Sequence, residues 1–359
     1  MRLRYSDPQT ERIFRQIADT IQDGATWNAE LEDTLAELAA SNSPAVASYW
    51  KRNEPRLGIP DRAFRGESLY WFAEQPPART FRTSGTTSPQ ARGQAHYSPM
   101  GLELLRLTIV EHARRRIIGD LDRPAILRFV PDERAAPEVI MAYGMGVIAS
   151  ELGDPDASAV VIGPRGVDFT LLGDRLQRAV SAQQPVVLIG GSFAFVNVCD
   201  HLSAEGKRWQ LPAGSRMIDA GGFKGRSREL SVDRLRAAVG DVLGVAPDRC
   251  CNLFGMTELA SQLYDGADVP MGPLAERPKA GTAFIEPRVR DVSTMSCIGA
   301  GPGLLEVADL CILDRPYCVL TGDLAIASPE GVAITGRAER GETRGCSLSL
   351  DSLTRRKVA

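Results

Sequence analysis

The middle of the chain alternates short apolar runs with amphipathic stretches, and this alternation restricts the fold more than any other feature. Between about Ser98 and Gly255 the runs AILRFV, SAVVIG, PVVLIGG and SRMIDAGG alternate with stretches of helical period such as LLGDRLQRAVSAQ. Short β-branched strands that alternate with helices predict an α/β fold with a doubly wound, mostly parallel sheet. In such sheets ligands bind at the carboxyl ends of the strands.

Two further segments flank this α/β core, so we expect three segments in all. Residues 1–78 carry apolar side chains at helical spacing and predict a helical segment packed on the core. Residues 79–265 form the predicted core. Residues 266–359 turn to Gly, Pro and short strands such as YCVLTGDLAIA and GVAITGR, which favour a smaller β-rich subdomain.

Charge and hydropathy exclude several classes of protein. The 42 Lys and Arg nearly balance the 45 Asp and Glu, which argues against a general nucleic-acid binder. No apolar run approaches the roughly 18 residues of a membrane span, and the N-terminal residues lack a signal-peptide core. The seven cysteines are irregularly spaced and odd in number, which favours reduced thiols in a cytoplasm over disulfides or zinc.

The stretch TSGTTS at residues 83–88 is the first candidate site. It offers the hydroxyls of Thr83, Ser84, Thr86 and Thr87, and Gly85 frees backbone amides that can wrap phosphate oxygens. It is not a GxxxxGK[ST] loop, because no Lys-Ser or Lys-Thr follows a second glycine. An ordinary polar loop is the alternative interpretation.

Two carboxylates and an arginine mark the other candidate sites. In NLFGMTELAS, Thr257 can bind a phosphate and Glu258 can hold a magnesium ion, unless Thr257 caps a following helix. In VLTGDLA, Asp323 can accept hydrogen bonds from two ribose hydroxyls, unless Gly-Asp forms a turn. In GRAERGETRG, Arg337 comes close after a predicted strand and is a candidate site residue, unless it belongs to a charged surface turn. His112, in a charged stretch of helix, is predicted to be solvated.

The motifs TSGTTS, AGGFKG, LFGMTE, LTGD and GRAERGETRG resemble, in this order, the core motifs of the acyl-adenylate-forming superfamily, over residues 80–349. Within it the chain looks most like the acyl-protein synthetase of bacterial luminescence fatty-acid reductase, with the phenylacetate–CoA ligase branch as a near relative. The resemblance implies a ligase that uses ATP and Mg²⁺ to convert a fatty or aryl acid into an acyl-adenylate. The acyl group then passes to a thiol of Cys346, a carrier protein or CoA.

The resemblance also implies a role for each matching residue. The implied ATP-binding residues are Thr83, Ser84, Gly85, Thr86, Thr87, Gly221, Gly222, Phe223, Lys224, Asp323 and Arg337. The implied acyl-binding residues are Gly191, Ser192, Phe193, Val196 and His201. The implied catalytic residues are Thr257, Glu258, Arg92 and Cys346, and Glu258 is also the implied metal ligand.

The chain departs from the superfamily pattern in two places. Arg92 stands where the triphosphate loop usually has lysine, and Arg presents a wider fork of donors. We also expect a large domain without the C-terminal cap whose lysine neutralises the α-phosphate, so Lys224 or a partner subunit is a candidate substitute, and Lys357 is a weaker one. The resemblance implies an acyl-carrier protein, a reductase or another subunit as partner. The alternative function is therefore a non-catalytic or partner-dependent nucleotide- or acyl-binding subunit. Cys346, likewise, is either the nucleophile or a small packed side chain.

Overall fold

The computed structural model describes residues 4–5, 7–65, 69–72, 74–83, 92–221, 230–265 and 278–338, without the side chain of Val232. The chain divides into two compact units. The first takes its described residues from Met1–Thr108, Met256–Leu263 and Pro278–Ala359, and the second takes its own from Ile109–Gly255 and Tyr264–Arg277. The division into three segments stays a prediction.

The helices begin where the sequence supplies capping groups. For example, the Asn28 side chain accepts a hydrogen bond from the Leu31 amide at 3.0 Å, and Asp168 does the same for Leu171 at 2.9 Å. The described α-helices are α1 Pro8–Asp23, α2 Ala29–Asn42, α3 Pro44–Arg52, α4 Pro99–Ala113, α5 Ile140–Leu152, α6 Phe169–Ala182, α7 Ser192–Ala204 and α8 Val232–Leu243. Within the described ranges, none of the helices is both long and apolar enough to cross a membrane.

The strands fall into two sheets of six and two short pairs. They are β1 Ile59–Pro60, β2 Arg79–Arg82, β3 Gln94–Tyr97, β4 Ala125–Phe129, β5 Ala159–Val160, β6 Ile162–Gly163, β7 Gly166–Val167, β8 Val186–Gly191, β9 Arg216–Ala220, β10 Cys250–Phe254, β11 Leu263–Tyr264, β12 Ile285–Arg290, β13 Cys297–Ile298, β14 Gly301–Asp309, β15 Cys318–Ser328 and β16 Gly331–Arg337.

The second unit contains the predicted parallel sheet. Its strand order is β11-β10-β9-β8-β4-β5, and every pair from β10 to β5 is parallel. The chain passes from β4 to β5 on one side and then returns to β8 on the other side of β4, so the winding reverses at β4. The prediction of a doubly wound α/β sheet is confirmed, and this reversal is where such sheets open a crevice.

The apolar runs that predicted these strands are buried in the core of the second unit. Leu127, Leu188 and Met217 on three neighbouring strands have no exposed surface. The rings of Phe129 and Phe195 pack with their centroids 4.9 Å apart. Burial of this many apolar side chains fixes the register, so the carboxyl ends of β8, β9 and β10 lie side by side.

The first unit contains the predicted β-rich part and the N-terminal helices. Its sheet has the order β1-β15-β14-β12-β13, with β16 paired to β15, and its pairs are antiparallel except β1 with β15. Glu32 of α2 accepts hydrogen bonds from Arg288 at 2.9 and 3.0 Å, from Trp27 at 2.9 Å and from Tyr317 at 3.2 Å. This buried carboxylate joins the helical segment to the sheet.

Helix α3 lies inside the segment predicted to be helical; Ser43 caps it by accepting from the Val46 amide at 3.3 Å, and Pro44 occupies its first turn. The structure differs from the sequence expectation in two local features. His112 is buried rather than solvated, and its ring packs edge-on against Tyr264. Gly322 and Asp323 lie inside β15, so the alternative of a Gly-Asp turn is wrong.

Candidate active site

The two ends of the predicted triphosphate loop are held together by three hydrogen bonds. The Thr83 amide donates to the Gly93 carbonyl at 2.9 Å, and the Gly93 amide donates to the Thr83 hydroxyl at 2.9 Å. Nε of Arg92 donates to the Thr83 carbonyl at 2.5 Å. Thr83 and Arg92 therefore close the base of the loop, next to the antiparallel strands β2 and β3.

Thr257 and Glu258 lie in a turn that follows β10 along the chain. The Leu259 amide donates to the Met256 carbonyl at 3.2 Å and closes this turn. No helix begins at Thr257, so its interpretation as a helix cap is wrong. Both side chains are buried, and Glu258 keeps only 4% of its surface exposed.

The carboxylate of Glu258 lies against the backbone at Gly93. A Cβ atom built on Gly93 would stand 2.7 Å from Oε1 of Glu258 and 3.0 Å from Cγ2 of Thr83. Only glycine allows this approach without displacing the carboxylate. The predicted metal ligand and the base of the predicted triphosphate loop are therefore neighbours within the first unit.

Arg315 holds the main chain of the turn at Glu258. Its Nε and Nη2 atoms donate to the Glu258 carbonyl at 3.4 and 3.3 Å, and Nη2 also donates to the Tyr97 hydroxyl at 2.7 Å. The guanidinium lies 4.2 Å from the centroid of the Tyr97 ring. It also pairs with the buried Asp314 at 3.1 Å. The buried arginine is stabilised by these partners together, because an uncompensated buried charge costs several kcal/mol.

Asp309, at the end of β14, holds the same turn two residues further along. Its Oδ2 accepts from the amides of Ala260 and Ser261 at 2.8 and 2.7 Å. Its Oδ1 accepts from the Ser261 hydroxyl at 2.9 Å and from the Cys311 amide at 3.1 Å. The Ser261 hydroxyl also lies 3.0 Å from that of Thr108. Arg315 and Asp309 thus fix the turn on both sides of Leu259.

Burial raises the pKa of Glu258 to about 7. A backbone hydrogen bond and the charges of Arg315 and Arg65 oppose the rise, whereas Asp61 adds to it. Desolvation dominates because the charged form loses its water and gains no direct ion pair from the residues that the structure describes. Glu258 is therefore a carboxyl group that changes its charge near neutral pH.

Asp323 and Arg337 stand directly opposite each other on β15 and β16. The Arg337 guanidinium donates to Asp61 at 2.7 Å, and the Asp323 amide donates to the Thr321 hydroxyl at 3.0 Å. Burial raises the pKa of Asp323, and the charge of Arg337 opposes that rise. The two residues that were predicted to bind ribose are thus brought together on neighbouring strands.

The described acyl-pocket candidates belong to the second unit. Gly191 ends β8, and Ser192 begins α7 with its hydroxyl 3.0 Å from the Gly221 carbonyl. Val196 has no exposed surface and belongs to the apolar core, whereas the ring of Phe193 lies beside Gly191.

His201 lies away from the other acyl-pocket candidates, towards the other end of α7. Its ring stacks on Phe169, with 3.5 Å between centroids, and it pairs with Glu205 at 3.2 Å. At 1.5 Å rise per residue, its backbone is about 14 Å along the helix from Ser192.

Eight of the predicted site residues lie outside the described residues, and their roles stay predictions. They are Ser84, Gly85, Thr86, Thr87, Gly222, Phe223, Lys224 and Cys346.

The carboxylate of Glu258 suits a metal ion that takes most of its ligands from water and from a substrate. Among the described residues, no group of three or more His, Cys, Asp or Glu side chains is placed to hold a metal ion. Mg²⁺ is commonly bound by one or two carboxylates together with waters and substrate phosphates. A single carboxylate beside a candidate phosphate loop, such as Glu258, fits that pattern.

Three buried residues of these clusters were missed from the sequence. Asp309 and Arg315 bond the Glu258 turn, and Asp219 contacts Ser192 in the second unit. A usable signal was present for Arg315, since the run CILDRPYCVL places an Asp-Arg pair inside an otherwise apolar stretch. Charged residues in such a stretch are rarely buried unless they are paired.

The family of the chain follows from its sequence. The model of the acyl-protein synthetase family, LuxE, matches residues 106–354, more than half of the chain. The chain belongs to the LuxE acyl-protein synthetase family. The resemblance recognised from the motifs is thereby confirmed. A search of curated protein sequences returned no significant match.

Solved structures share the fold of this LuxE-family chain at low sequence identity. ATP-bound MatB from Rhodopseudomonas palustris is 18% identical with a TM-score of 0.51, covering 72% of this chain and 47% of its own. A long-chain-fatty-acid-CoA ligase, FadD1, from Archaeoglobus fulgidus is 13% identical with a TM-score of 0.50, covering 72% and 50%. 2-Hydroxyisobutyryl-CoA ligase with 2-HIB-AMP and CoA is 14% identical with a TM-score of 0.50, covering 76% and 61%. The chain spans about half the length of the first two structures.

We expect the burial of Glu258 to make stability depend on pH. A carboxyl group whose pKa rises on folding stabilises the fold fully below its unfolded value of 4.5, and this contribution disappears as pH rises to about 7. The free energy of unfolding of the wild-type protein, minus that of Glu258→Gln, should fall by about 3 kcal/mol across this window. Urea denaturation of both proteins at several pH values measures this difference.

Glu37→Gln is the matched control, because Glu37 is exposed on α2. Its unfolding free energy should follow that of the wild-type protein at every pH. A wild-type minus Glu258→Gln difference that stays constant, or that grows with pH, would contradict the burial of Glu258 as its carboxylic acid.

Proposed function

We propose that this protein activates a carboxylic acid with ATP to an acyl-adenylate, releases pyrophosphate, and passes the acyl group to a thiol. The observation that carries the proposal is the approach of Glu258 to Gly93, which puts a carboxylate at the base of the predicted triphosphate loop. Membership of the LuxE acyl-protein synthetase family supports it. So does the shared fold with an ATP-bound structure and with a fatty-acid-CoA ligase.

The chemical problem in this reaction is charge. A carboxylate attacks the α-phosphate of ATP, its oxygen bonds to phosphorus, and the bond to pyrophosphate breaks. Two anions must therefore approach each other, so the site has to offset charge and align the attacking oxygen. A magnesium ion bound to Glu258 would supply positive charge at the phosphate oxygens.

Described residues of the first unit are proposed to hold the triphosphate loop and to bind the α-phosphate and the ribose. Arg92 and Thr83 hold the two ends of the loop together, and the backbone amides and hydroxyls of the loop are the proposed ligands of the β- and γ-phosphates. Thr257 contacts the α-phosphate from the turn fixed by Arg315. Asp323, with Arg337 opposite it, accepts hydrogen bonds from the ribose hydroxyls.

The acid is proposed to be a fatty or an aryl acid, and the acceptor is proposed to be a thiol. Gly191, Ser192, Phe193 and Val196 are the proposed residues near the acyl group, by carry-over from the superfamily. The thiolate attacks the acyl carbonyl carbon, a thioester forms and AMP leaves. Cys346 is the proposed first acceptor, as in the acyl-protein synthetases that the chain resembles.

The wild-type protein should catalyse ATP–pyrophosphate exchange that depends on an added carboxylic acid. Glu258→Gln keeps the shape of the side chain but loses its charge, so we expect exchange to fall roughly a hundredfold, equivalent to about 3 kcal/mol of transition-state stabilisation. A panel of aliphatic and aromatic acids with radiolabelled pyrophosphate measures both effects.

Glu37→Gln, the exposed variant on α2, should exchange at the wild-type rate. Tight binding of ATP by the wild-type protein without exchange for any acid would contradict the proposal. That result would instead favour a nucleotide-binding subunit that requires a partner.

The role of Cys346 is tested by trapping the acyl group. With ATP and a radiolabelled acid that supports exchange, label should remain on the denatured polypeptide as a hydroxylamine-sensitive thioester, and Cys346→Ser should lose it. Exchange itself should persist in this variant, because adenylation precedes transfer. Label that remains on Cys346→Ser, or transfer that requires only CoA, would assign the acceptor elsewhere.

A further inference from the structure

A buried hydrogen-bonded cluster lies at the carboxyl ends of three parallel strands of the second unit. Asp219 on β9 lies opposite Gly190 of β8 and Asn252 of β10. The Ser192 hydroxyl oxygen is 2.7 Å from Oδ2 of Asp219 and 3.0 Å from the Gly221 carbonyl. Nδ2 of Asn252 donates to the same Oδ2 at 3.0 Å.

The single hydroxyl hydrogen of Ser192 indicates the protonation state of Asp219. Ser192 has one hydroxyl hydrogen, yet its oxygen lies within hydrogen-bond distance of two acceptors, Asp219 and Gly221. If Asp219 carries a proton on Oδ2, it donates to Ser192, which then donates to the Gly221 carbonyl. Asn252 still donates to the remaining lone pair of Oδ2. Protonated Asp219 thus accounts for all three contacts, whereas ionised Asp219 leaves the contact to Gly221 without a hydrogen.

The surroundings of Asp219 also favour its protonated state. Asp219 has no exposed surface, and its Oδ1 has no hydrogen-bond partner among the residues that the structure describes. Leaving the neutral carbonyl oxygen of a protonated acid without a hydrogen bond there costs much less free energy than leaving an oxygen of a charged carboxylate without one.

The neighbouring positive charge has its own partner. Arg236 donates to Asp265 at 2.8 Å, and Asp265 also accepts from the Asn252 amide at 2.6 Å. Burial raises the pKa of Asp219, and the opposing effects of Ser192, Asn252 and Arg236 do not cancel that rise.

We propose that Asp219 is a positioning residue that stays protonated and, through Ser192, fixes the Gly221 carbonyl at the start of the predicted adenine loop. Gly221 has a φ of +72°, which favours glycine, and its carbonyl lies 3.0 Å from the Ser192 hydroxyl. The inference rests on the proposed function, since it assigns this carbonyl to the nucleotide side of the site. Asp219 itself does not touch the reacting atoms.

Ser192→Ala removes the link between Asp219 and Gly221 and should raise the KM for ATP about five- to tenfold, the effect of one lost hydrogen bond. Ser215→Ala is the matched control. Ser215 is a buried serine at the amino end of β9, where it accepts from the Val186 amide at 3.0 Å and donates to Pro212 at 2.7 Å. This variant loses a comparable hydroxyl and should keep the wild-type KM. Equal shifts in both variants, or no shift in Ser192→Ala, would overturn the proposal.

The protonation of Asp219 has a readout that does not depend on activity. In the full chain with ¹³C-labelled aspartate, the carboxyl signal that is missing from Asp219→Asn should have the chemical shift of a protonated acid at neutral pH. A carboxylate shift there would overturn the inference even if exchange activity is found. If the wild-type protein shows no exchange, the proposed function fails separately, and the carboxyl signal together with equilibrium binding of ATP to Ser192→Ala and Ser215→Ala still decides this inference.

Discussion

The turn that carries Glu258 depends on two buried charged side chains from the first unit. Asp309 accepts four hydrogen bonds, three of them from Ala260 and Ser261, and Arg315 donates to the Glu258 carbonyl. Without these bonds the turn would have few internal hydrogen bonds of its own, since it is neither helix nor strand. The position of the Glu258 carboxylate beside Gly93 therefore follows from contacts to its flanking main chain.

Buried carboxyl groups have the same role in both units. Asp309 in the first unit and Asp219 in the second each lie at or next to the end of a strand, have no exposed surface and bond a segment that comes earlier in the chain. Hydrogen-bonded buried polar groups rigidify a site, at a cost in desolvation that apolar residues would avoid. Such costs are typical of functional positions, because a site must be held to a fraction of an ångström to be useful.

The sequence predicted what depends on local pattern and missed what depends on distant partners. The strands around Leu127 and Leu188 were predicted because their short runs are almost entirely apolar, and β16 because GVAITGR contains β-branched residues. Asp309 was missed because its partner Ala260 is 49 residues away, and no local pattern encodes that contact. Helix α3 likewise has a local signal in Ser43 and Pro44, and it lies in the segment that was predicted to be helical.

We infer that buried bonds from Asp309 and Arg315 fix the turn that presents Glu258. Amide hydrogen exchange of Ala260 and Ser261, compared between the wild-type protein and Asp309→Asn, tests it most directly. Both amides should exchange slowly in the wild-type protein and at least about tenfold faster in the variant, with the amides of β8 unchanged. Fast exchange in the wild-type protein, or equal protection in both proteins, would contradict it.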